Sequence, residues 1–130
     1  MSEKHSILLI EDEEDLAEIL SFIFNNIGIE TEVALTYNEA TSKLSDNPYR
    51  IVLSDMRLPD GTGADLCKAY HHQSPFILYS GFSDISKKEA LDLGALAILS
   101  KPLDIELLGS HMKTFLNGEI DENQLVARLA

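Results

Sequence analysis

The chain has 130 residues, of which 45% are hydrophobic, and its 22 acidic residues against 10 basic ones give a net charge of −12. This length suits one folded domain with a real core, and the hydrophobic content excludes a disordered chain. The negative charge argues against direct binding to nucleic acid or to an anionic membrane surface. It suits a site that collects cations, although a solvated acidic surface is a simpler explanation of the same charge.

Cysteine content and hydropathy exclude further classes of protein. Cys67 is the single cysteine, so neither an intrachain disulfide nor a cysteine-based zinc site can form, and we expect a small core residue on a helix. The N-terminal apolar run ends at Ile10 and acids follow at once, which is not a signal-peptide pattern. No run approaches the roughly 18 apolar residues of a membrane span, so we expect a cytoplasmic protein.

The first half of the chain alternates apolar runs with segments of helical periodicity. Its predicted elements are a strand at 6–10, a helix with apolar residues Leu16, Ile19, Leu20, Ile23 and Ile27, a strand at 31–34, a helix at 36–45 and a strand at 51–55. Gly28 is typical of a residue that ends a helix, and Thr36 with Glu39 forms a capping-box pattern. Acidic and small residues at 31–34 indicate the edge of a sheet.

The second half continues the alternation. Its predicted elements are a loop at 59–63, a helix at 64–73 with Leu66, Ala69 and Tyr70 inward, a strand at 76–79, a helix from Ser86 to Gly94, a strand at 95–99 and a helix from Asp104 to Leu116. Gly109 inside the last helix should cost up to about 1 kcal/mol relative to alanine. We expect the domain to comprise residues 1–118. Residues 119–130 would be a tail or the start of a linker, with a helical turn or two from Asp121.

Five alternations of strand and helix predict an α/β fold. Such connections are right-handed βαβ crossovers, so the strands form a parallel sheet with helices on both faces. We expect the doubly wound order 2-1-3-4-5, which makes a flavodoxin-like three-layer (βα)5 sandwich. In this order the first and third strands lie side by side, and a crevice for ligands opens at their carboxyl ends.

Polar residues stand at the carboxyl ends of four predicted strands. They are Glu11 and Asp12, Asp55, Ser80, and Lys101. Because these ends share one edge of the sheet, we expect Asp12 and Asp55 to be neighbours. Three carboxylates at one place repel one another, and a divalent cation such as Mg²⁺, which prefers oxygen ligands, relieves the repulsion. Lys101 adds a second positive charge, and Ser80 adds a hydroxyl.

These residues leave room for a phosphoryl group, with Asp55 as its acceptor. The chemistry would be nucleophilic catalysis by a carboxylate that gives an aspartyl phosphate, helped by positioning and charge neutralisation. Each residue also has a simpler explanation when taken singly. Glu11 and Asp12 could cap the first helix, while Ser80 could be a turn residue. Their joint occurrence at four strand ends favours the functional explanation.

Five short motifs carry a resemblance to a known family, at residues 10–13, 53–63, 79–81, 94–95 and 101–102. Together they resemble the receiver domain of response regulators in bacterial two-component systems, over about residues 5–117. The resemblance implies a phosphorylatable signalling switch. It implies no enzyme activity beyond the domain's own phosphorylation and dephosphorylation.

The resemblance also implies roles for individual residues. Asp55 would take a phosphoryl group from a phosphohistidine of a sensor histidine kinase or a phosphotransfer protein. Asp12 would ligate Mg²⁺ directly, and Glu11 directly or through water. The backbone carbonyl of Arg57 would be a further ligand. Lys101 would pair with the phosphoryl oxygens.

The resemblance implies how the signal leaves the pocket as well. Ser80 would move toward the new phosphoryl group and shift the surface around the last strand and helices. That surface would control a downstream protein or a fused output domain. The peptide bond between Lys101 and Pro102 is expected to be cis.

The sequence departs from the family pattern at positions that affect switching and lifetime. Ile98 stands where the family commonly has an aromatic residue, so coupling is expected to run through the loop after Ser80 instead. Arg57 and Phe82 occupy the positions that tune attack by water. We hypothesise that Phe82 screens the phosphoryl group and makes the phosphorylated state long-lived.

Two other classes of function are compatible with the fold. A pseudo-receiver would keep the fold as a protein-interaction module without phosphorylation, and the set of Asp12, Asp55, Ser80 and Lys101 argues against it. A phosphatase with an aspartyl-phosphate intermediate often places a second aspartate two residues after the nucleophile. Arg57 occupies that position, which disfavours the phosphatase.

Overall fold

The computed structural model describes residues 6–81 and 86–130, which follow the predicted alternation. The elements are β1 (Ser6–Ile10), α1 (Glu14–Asn26), β2 (Glu30–Ala34), α2 (Tyr37–Asp46), β3 (Ile51–Asp55), β4 (Arg57–Leu58), β5 (Gly61–Thr62), α3 (Gly63–Tyr70), β6 (Phe76–Ser80), α4 (Lys87–Asp92), β7 (Ala97–Ser100), α5 (Ile105–Leu116) and α6 (Glu122–Leu129). The two-residue strands β4 and β5 pair antiparallel as a small hairpin after β3. Within the described ranges, no helix is long and apolar enough to cross a membrane.

The five long strands form one parallel sheet in the order β2-β1-β3-β6-β7, which confirms the predicted doubly wound order. Successive side chains point to opposite faces of the sheet. On β1, for example, Ile7 and Leu9 pack toward α1, α5 and α6, whereas Leu8 and Ile10 pack toward α2, α3 and α4. Helices on both faces explain why the strands read as unbroken apolar runs.

Helix α1 buries a different face from the one that the apolar spacing predicts. Ala17 and Phe24 are buried, whereas Ile19 and Ile27 are 51% and 40% exposed. Part of α1 packs against α5 at Gly109, where a Cβ atom would lie 3.0 Å from Ile27 Cδ1 and 3.4 Å from the Phe24 ring. The glycine therefore lets the two helices approach closely, and this packing offsets its cost in helix propensity.

Helix α3 is shorter than predicted. It ends at Tyr70 instead of Gln73, because the N–H groups of Gln73 and Ser74 both donate to the Tyr70 carbonyl in a tight turn. Its inward face also differs, since Cys67 is buried while Ala69 is exposed. The predicted place of the cysteine in a helix core is therefore confirmed, and the predicted place of Ala69 is wrong.

Residues 119–130 contain α6, which starts at the predicted cap. The Asp121 carboxylate accepts a hydrogen bond from the Gln124 N–H at 2.8 Å, and the Gln124 side chain accepts one from the Asp121 N–H at 2.9 Å. Leu125 is fully buried and Ile120 nearly so, and both belong to the core that α1 and α5 share. This segment therefore contributes side chains to the same core as the sheet.

Candidate functional site

Strand register brings the predicted residues to one edge of the sheet. Ile10 pairs with Ser54 across β1 and β3, and Asp55 pairs with Tyr79 across β3 and β6. Glu11, one residue beyond Ile10, is therefore level with Asp55 and Tyr79. Because side chains alternate along each strand, all three point to the face covered by α1 and α5.

Glu11, Asp12 and Asp55 form the one group of three potential metal-binding side chains among the described residues. Their ligand oxygens all lie within 4.8 Å of one another. Glu11 and Asp55 are 1% and 7% exposed, whereas Asp12 lies at the exposed mouth of the group. A cluster of carboxylate oxygens, open to solvent on one side, fits Mg²⁺, which retains several waters. The structure thus brings together the three predicted carboxylates.

Lys101 faces these acids from the end of β7. Its Nζ donates to Asp55 Oδ2 at 2.9 Å, and its peptide bond to Pro102 is cis, as predicted. Partial burial alone would lower the pKa of the Lys101 ammonium, but the hydrogen bond and charge of Asp55 outweigh it, so the pKa is raised. The lysine therefore stays charged beside the acceptor carboxylate.

The backbone around β3 fixes the Asp55 carboxylate. The Arg57 N–H donates to Asp55 Oδ1 at 3.2 Å, so both carboxylate oxygens have a donor. At Gly63, where α3 begins, a Cβ atom would collide with the Asp55 carbonyl, and only glycine allows this approach. The end of β3 and the start of α3 are therefore in close contact at Asp55.

Ser80 lies at the carboxyl end of a strand, whereas Asp60, in the hairpin after β3, binds the start of α2. Ser80 ends β6, is 6% exposed, and accepts the Lys101 N–H on its carbonyl at 2.9 Å. The Asp60 carboxylate instead accepts the N–H groups of Tyr37 and Asn38, at 2.8 and 3.1 Å, and caps α2. Asp60 thus joins the hairpin after β3 to the start of α2.

Glu11 has a partner that the sequence interpretation missed. Tyr79 donates its hydroxyl to Glu11 Oε1 at 2.8 Å, and the Glu13 N–H donates to Glu11 Oε2 at 3.0 Å. Burial raises the pKa of Glu11, and these two hydrogen bonds oppose that rise. Burial, and then the nearby Glu11 charge, raise the pKa of Tyr79, so its hydroxyl stays protonated. Strand alternation from Ile77 predicts the face of the sheet to which Tyr79 points, but it does not predict the partner of its hydroxyl.

Of Ile98 and Phe82, which are predicted to affect switching and lifetime, the structure describes Ile98 alone. Ile98 is a half-buried residue of β7 that packs against the core on the α2 and α3 face. Phe82 lies outside the described residues, so its screening role stays a prediction.

The family model of the response regulator receiver domain matches residues 7–113. The chain belongs to this family. Solved receiver structures agree with the assignment. A two-component response regulator from Clostridium difficile is 28% identical with a TM-score of 0.81, covering 91% of this chain and 100% of that one. The Francisella response regulator 1452 receiver domain is 26% identical with a TM-score of 0.80, covering 90% and 100%.

Curated relatives of this receiver domain are longer proteins. The response regulator protein PilR of Pseudomonas aeruginosa is 32% identical over 133 residues, which cover 97% of this chain and 30% of PilR. The sensory transduction protein RegX3 of Mycolicibacterium smegmatis is 32% identical over 121 residues, which cover 91% and 53%. The aerobic respiration control sensor protein ArcB of Escherichia coli is 31% identical over 127 residues, which cover 93% and 16%. The receiver domain thus spans about half of these relatives or less.

Proposed function

We propose that this receiver domain is a phosphorylation switch in which Asp55 accepts a phosphoryl group from a phosphohistidine of a sensor histidine kinase or a phosphotransfer protein. One observation carries the proposal. A nearly buried aspartate has its ligand oxygen within 4.8 Å of those of Glu11 and Asp12 and also accepts a hydrogen bond from the Lys101 ammonium. A carboxylate in this setting is a nucleophile with counter-charges in place for a phosphoryl group.

The transfer is a single displacement at phosphorus. An Asp55 oxygen forms the new O–P bond while the N–P bond to the donor imidazole breaks, and the imidazole keeps the electron pair and takes up a proton. Lys101 exchanges its contact with the carboxylate for one with a phosphoryl oxygen, and the Ser80 hydroxyl bonds another. This proposed change of partners is the event that the rest of the domain would sense.

The residues on the acidic side would hold Mg²⁺. The proposed ligands are the carboxylates of Glu11, Asp12 and Asp55, whose oxygens lie in one cluster that suits Mg²⁺. The backbone carbonyl of Arg57 is proposed as a further ligand. When bound, the ion neutralises charge on the phosphoryl oxygens. The protein's own contribution is to place the acceptor and to keep the Lys101 ammonium beside it.

The names of the relatives support the wider role that we propose. PilR and RegX3 are named as a response regulator and a sensory transduction protein, and ArcB as a sensor protein. We propose that this domain works in the cytoplasm and passes its signal to a downstream protein or to an output domain fused to it. The surface around Ile98 and the last helices would carry that signal.

Incubation with a small phosphodonor and Mg²⁺, followed by intact mass measurement, tests the proposal. We expect a gain of one phosphoryl group that disappears on chelation of Mg²⁺ and in Asp55→Asn. The matched control is Asp65→Asn, which changes an exposed aspartate in the first turn of α3 and should still be modified. An unmodified wild-type protein would instead favour the pseudo-receiver.

A further inference from the structure

Tyr79 connects two strands that do not touch each other. β1 and β6 both pair with β3, so their backbones lie roughly 10 Å apart, twice the spacing of neighbouring strands. The long side chains of Tyr79 and Glu11 close this gap at the level of Asp55, with their oxygens 2.8 Å apart. A shorter side chain at position 79 would not reach, and phenylalanine would offer no donor.

The hydrogen bond from Tyr79 is one of two that orient the Glu11 carboxylate. One oxygen accepts from the Tyr79 hydroxyl and the other from the Glu13 N–H, so the plane of the carboxylate is set from two directions. Both residues of the side-chain pair are buried, with Tyr79 fully enclosed, so water does not compete for the bond. Each Glu11 oxygen keeps a second lone pair, which is free for a cation or for a water bound to it.

Tyr79 contacts the opposite side of the site as well. The Lys101 ammonium lies over its ring, 5.4 Å from the ring centre, while the same ammonium donates to Asp55. A cation at this distance from an aromatic face is attracted to it. The tyrosine therefore contacts two charged residues of the pocket, Glu11 through its hydroxyl and Lys101 through its ring.

We infer that Tyr79 is a positioning residue of the metal site, whose hydroxyl holds Glu11 in the orientation in which that carboxylate receives a divalent cation. This inference rests on the proposed function, because it concerns the same pocket. Partners that orient a metal ligand are worth about 10- to 100-fold in metal affinity. A bond that only satisfied a buried acid would affect folding and leave Mg²⁺ affinity unchanged.

Tyr79→Phe removes the hydroxyl and keeps the ring. Mg²⁺ binding can be followed by titration with MgCl₂ while the amide resonances near Asp55 are recorded by NMR. We expect Tyr79→Phe to bind Mg²⁺ about tenfold more weakly or worse. Its phosphorylation by a small phosphodonor should be slow at low Mg²⁺ and recover at saturating Mg²⁺.

Tyr49→Phe is the matched control. Tyr49 is also a buried tyrosine that donates to a glutamate, at 2.9 Å from Glu32 Oε2, but it lies at the β2 edge. We expect this variant to bind Mg²⁺ as the wild type does. Urea unfolding of both variants in EDTA measures the structural cost of each lost hydroxyl separately.

A double-mutant cycle tests whether Tyr79 acts through Glu11. In a Glu11→Ala background, Tyr79→Phe should weaken Mg²⁺ binding little further, because the carboxylate that it positions is gone. An equal loss in both backgrounds would overturn the inference. So would wild-type Mg²⁺ affinity in Tyr79→Phe, and that result would leave the proposed phosphorylation of Asp55 standing. A wild-type protein that bound no Mg²⁺ would overturn both.

Discussion

Two regions of this receiver domain each combine a tyrosine, a glutamate and a lysine, and the two glutamates differ in their exposure to solvent. In the strand-end pocket, Tyr79 donates to Glu11, and Lys101 lies nearby. At the β2 edge, Tyr49 donates to Glu32 at 2.9 Å, and Lys43 lies 3.6 Å from the same carboxylate. The Glu32 side chain is 43% exposed, whereas Glu11 is 1% exposed.

The difference between the two regions lies in their surroundings. Glu32 is partly solvated, so water can replace a partner that it loses. Glu11 is enclosed, and two further carboxylates stand within 4.8 Å of its ligand oxygen. Charges that cannot be solvated must be compensated by the protein or by a bound ion. The same tyrosine–glutamate hydrogen bond therefore contributes to a candidate site only where the glutamate is buried and lies beside other charges.

The largest expected effect is that of Mg²⁺ on stability. At about 100 times its dissociation constant, Mg²⁺ bound at the proposed site should stabilise the wild-type fold by about 2.7 kcal/mol, because the unfolded chain lacks that site. Glu11→Gln should lose most of this gain, whereas Glu32→Gln should keep it. Urea unfolding with MgCl₂ and with EDTA measures the gain. An equal gain in both variants would remove the distinction between the two regions.

The second largest expected effect is a difference in stability between variants of Lys101 and Lys43. Lys101→Met leaves the Asp55 carboxylate buried without its ammonium partner, and we expect a loss of about 1–2 kcal/mol in EDTA. Lys43→Met breaks a solvated ion pair, which is worth roughly 0.5 kcal/mol or less. Chemical unfolding of the two variants at one pH gives the comparison. A larger loss in Lys43→Met would show that the pocket is more solvated than its burial indicates.

The smallest expected effect is a dependence of stability on pH. Because the pKa of Glu11 is raised by burial, the folded state keeps the Glu11 proton to a higher pH than the unfolded state does. Stability in EDTA should therefore fall as the pH rises from about 4.3, the ordinary glutamate value, through the folded-state pKa. Glu11→Gln removes this contribution. Unfolding curves of wild type and variant across that range should diverge, and parallel curves would contradict the expectation.

The sequence predicts the fold and the four strand ends because both depend on local patterns. Apolar runs, caps and turn residues mark each element, and the crossover rule then places the ends together. Asp55, Glu11, Asp12 and Lys101 follow directly from that rule. The rule does not identify Tyr79, because the sequence pattern shows it only as the last apolar residue of a strand. Its contact needs the register of two strands that are not neighbours.

Helix faces were predicted less well for a related reason. Helix α1 carries apolar residues on more than one face, and the packing partner decides which face is buried. Phe24 is buried against α5 near Gly109, whereas Ile19 is exposed. Hydrophobic spacing within α1 holds no information about a glycine 85 positions away, so tertiary contacts override the local pattern.

Helix α6 has a consequence for how the domain unfolds. Leu125 occupies the core beside α5, so a chain cut after residue 118 would expose that part of the core to solvent. Burial of one leucine side chain stabilises a fold by about 1.5–3 kcal/mol. The helix should therefore not fray independently. Its Leu125 amide, bonded to the Asp121 carbonyl at 3.0 Å, should exchange with solvent deuterium only as slowly as amides of α5, in one cooperative unit with the sheet.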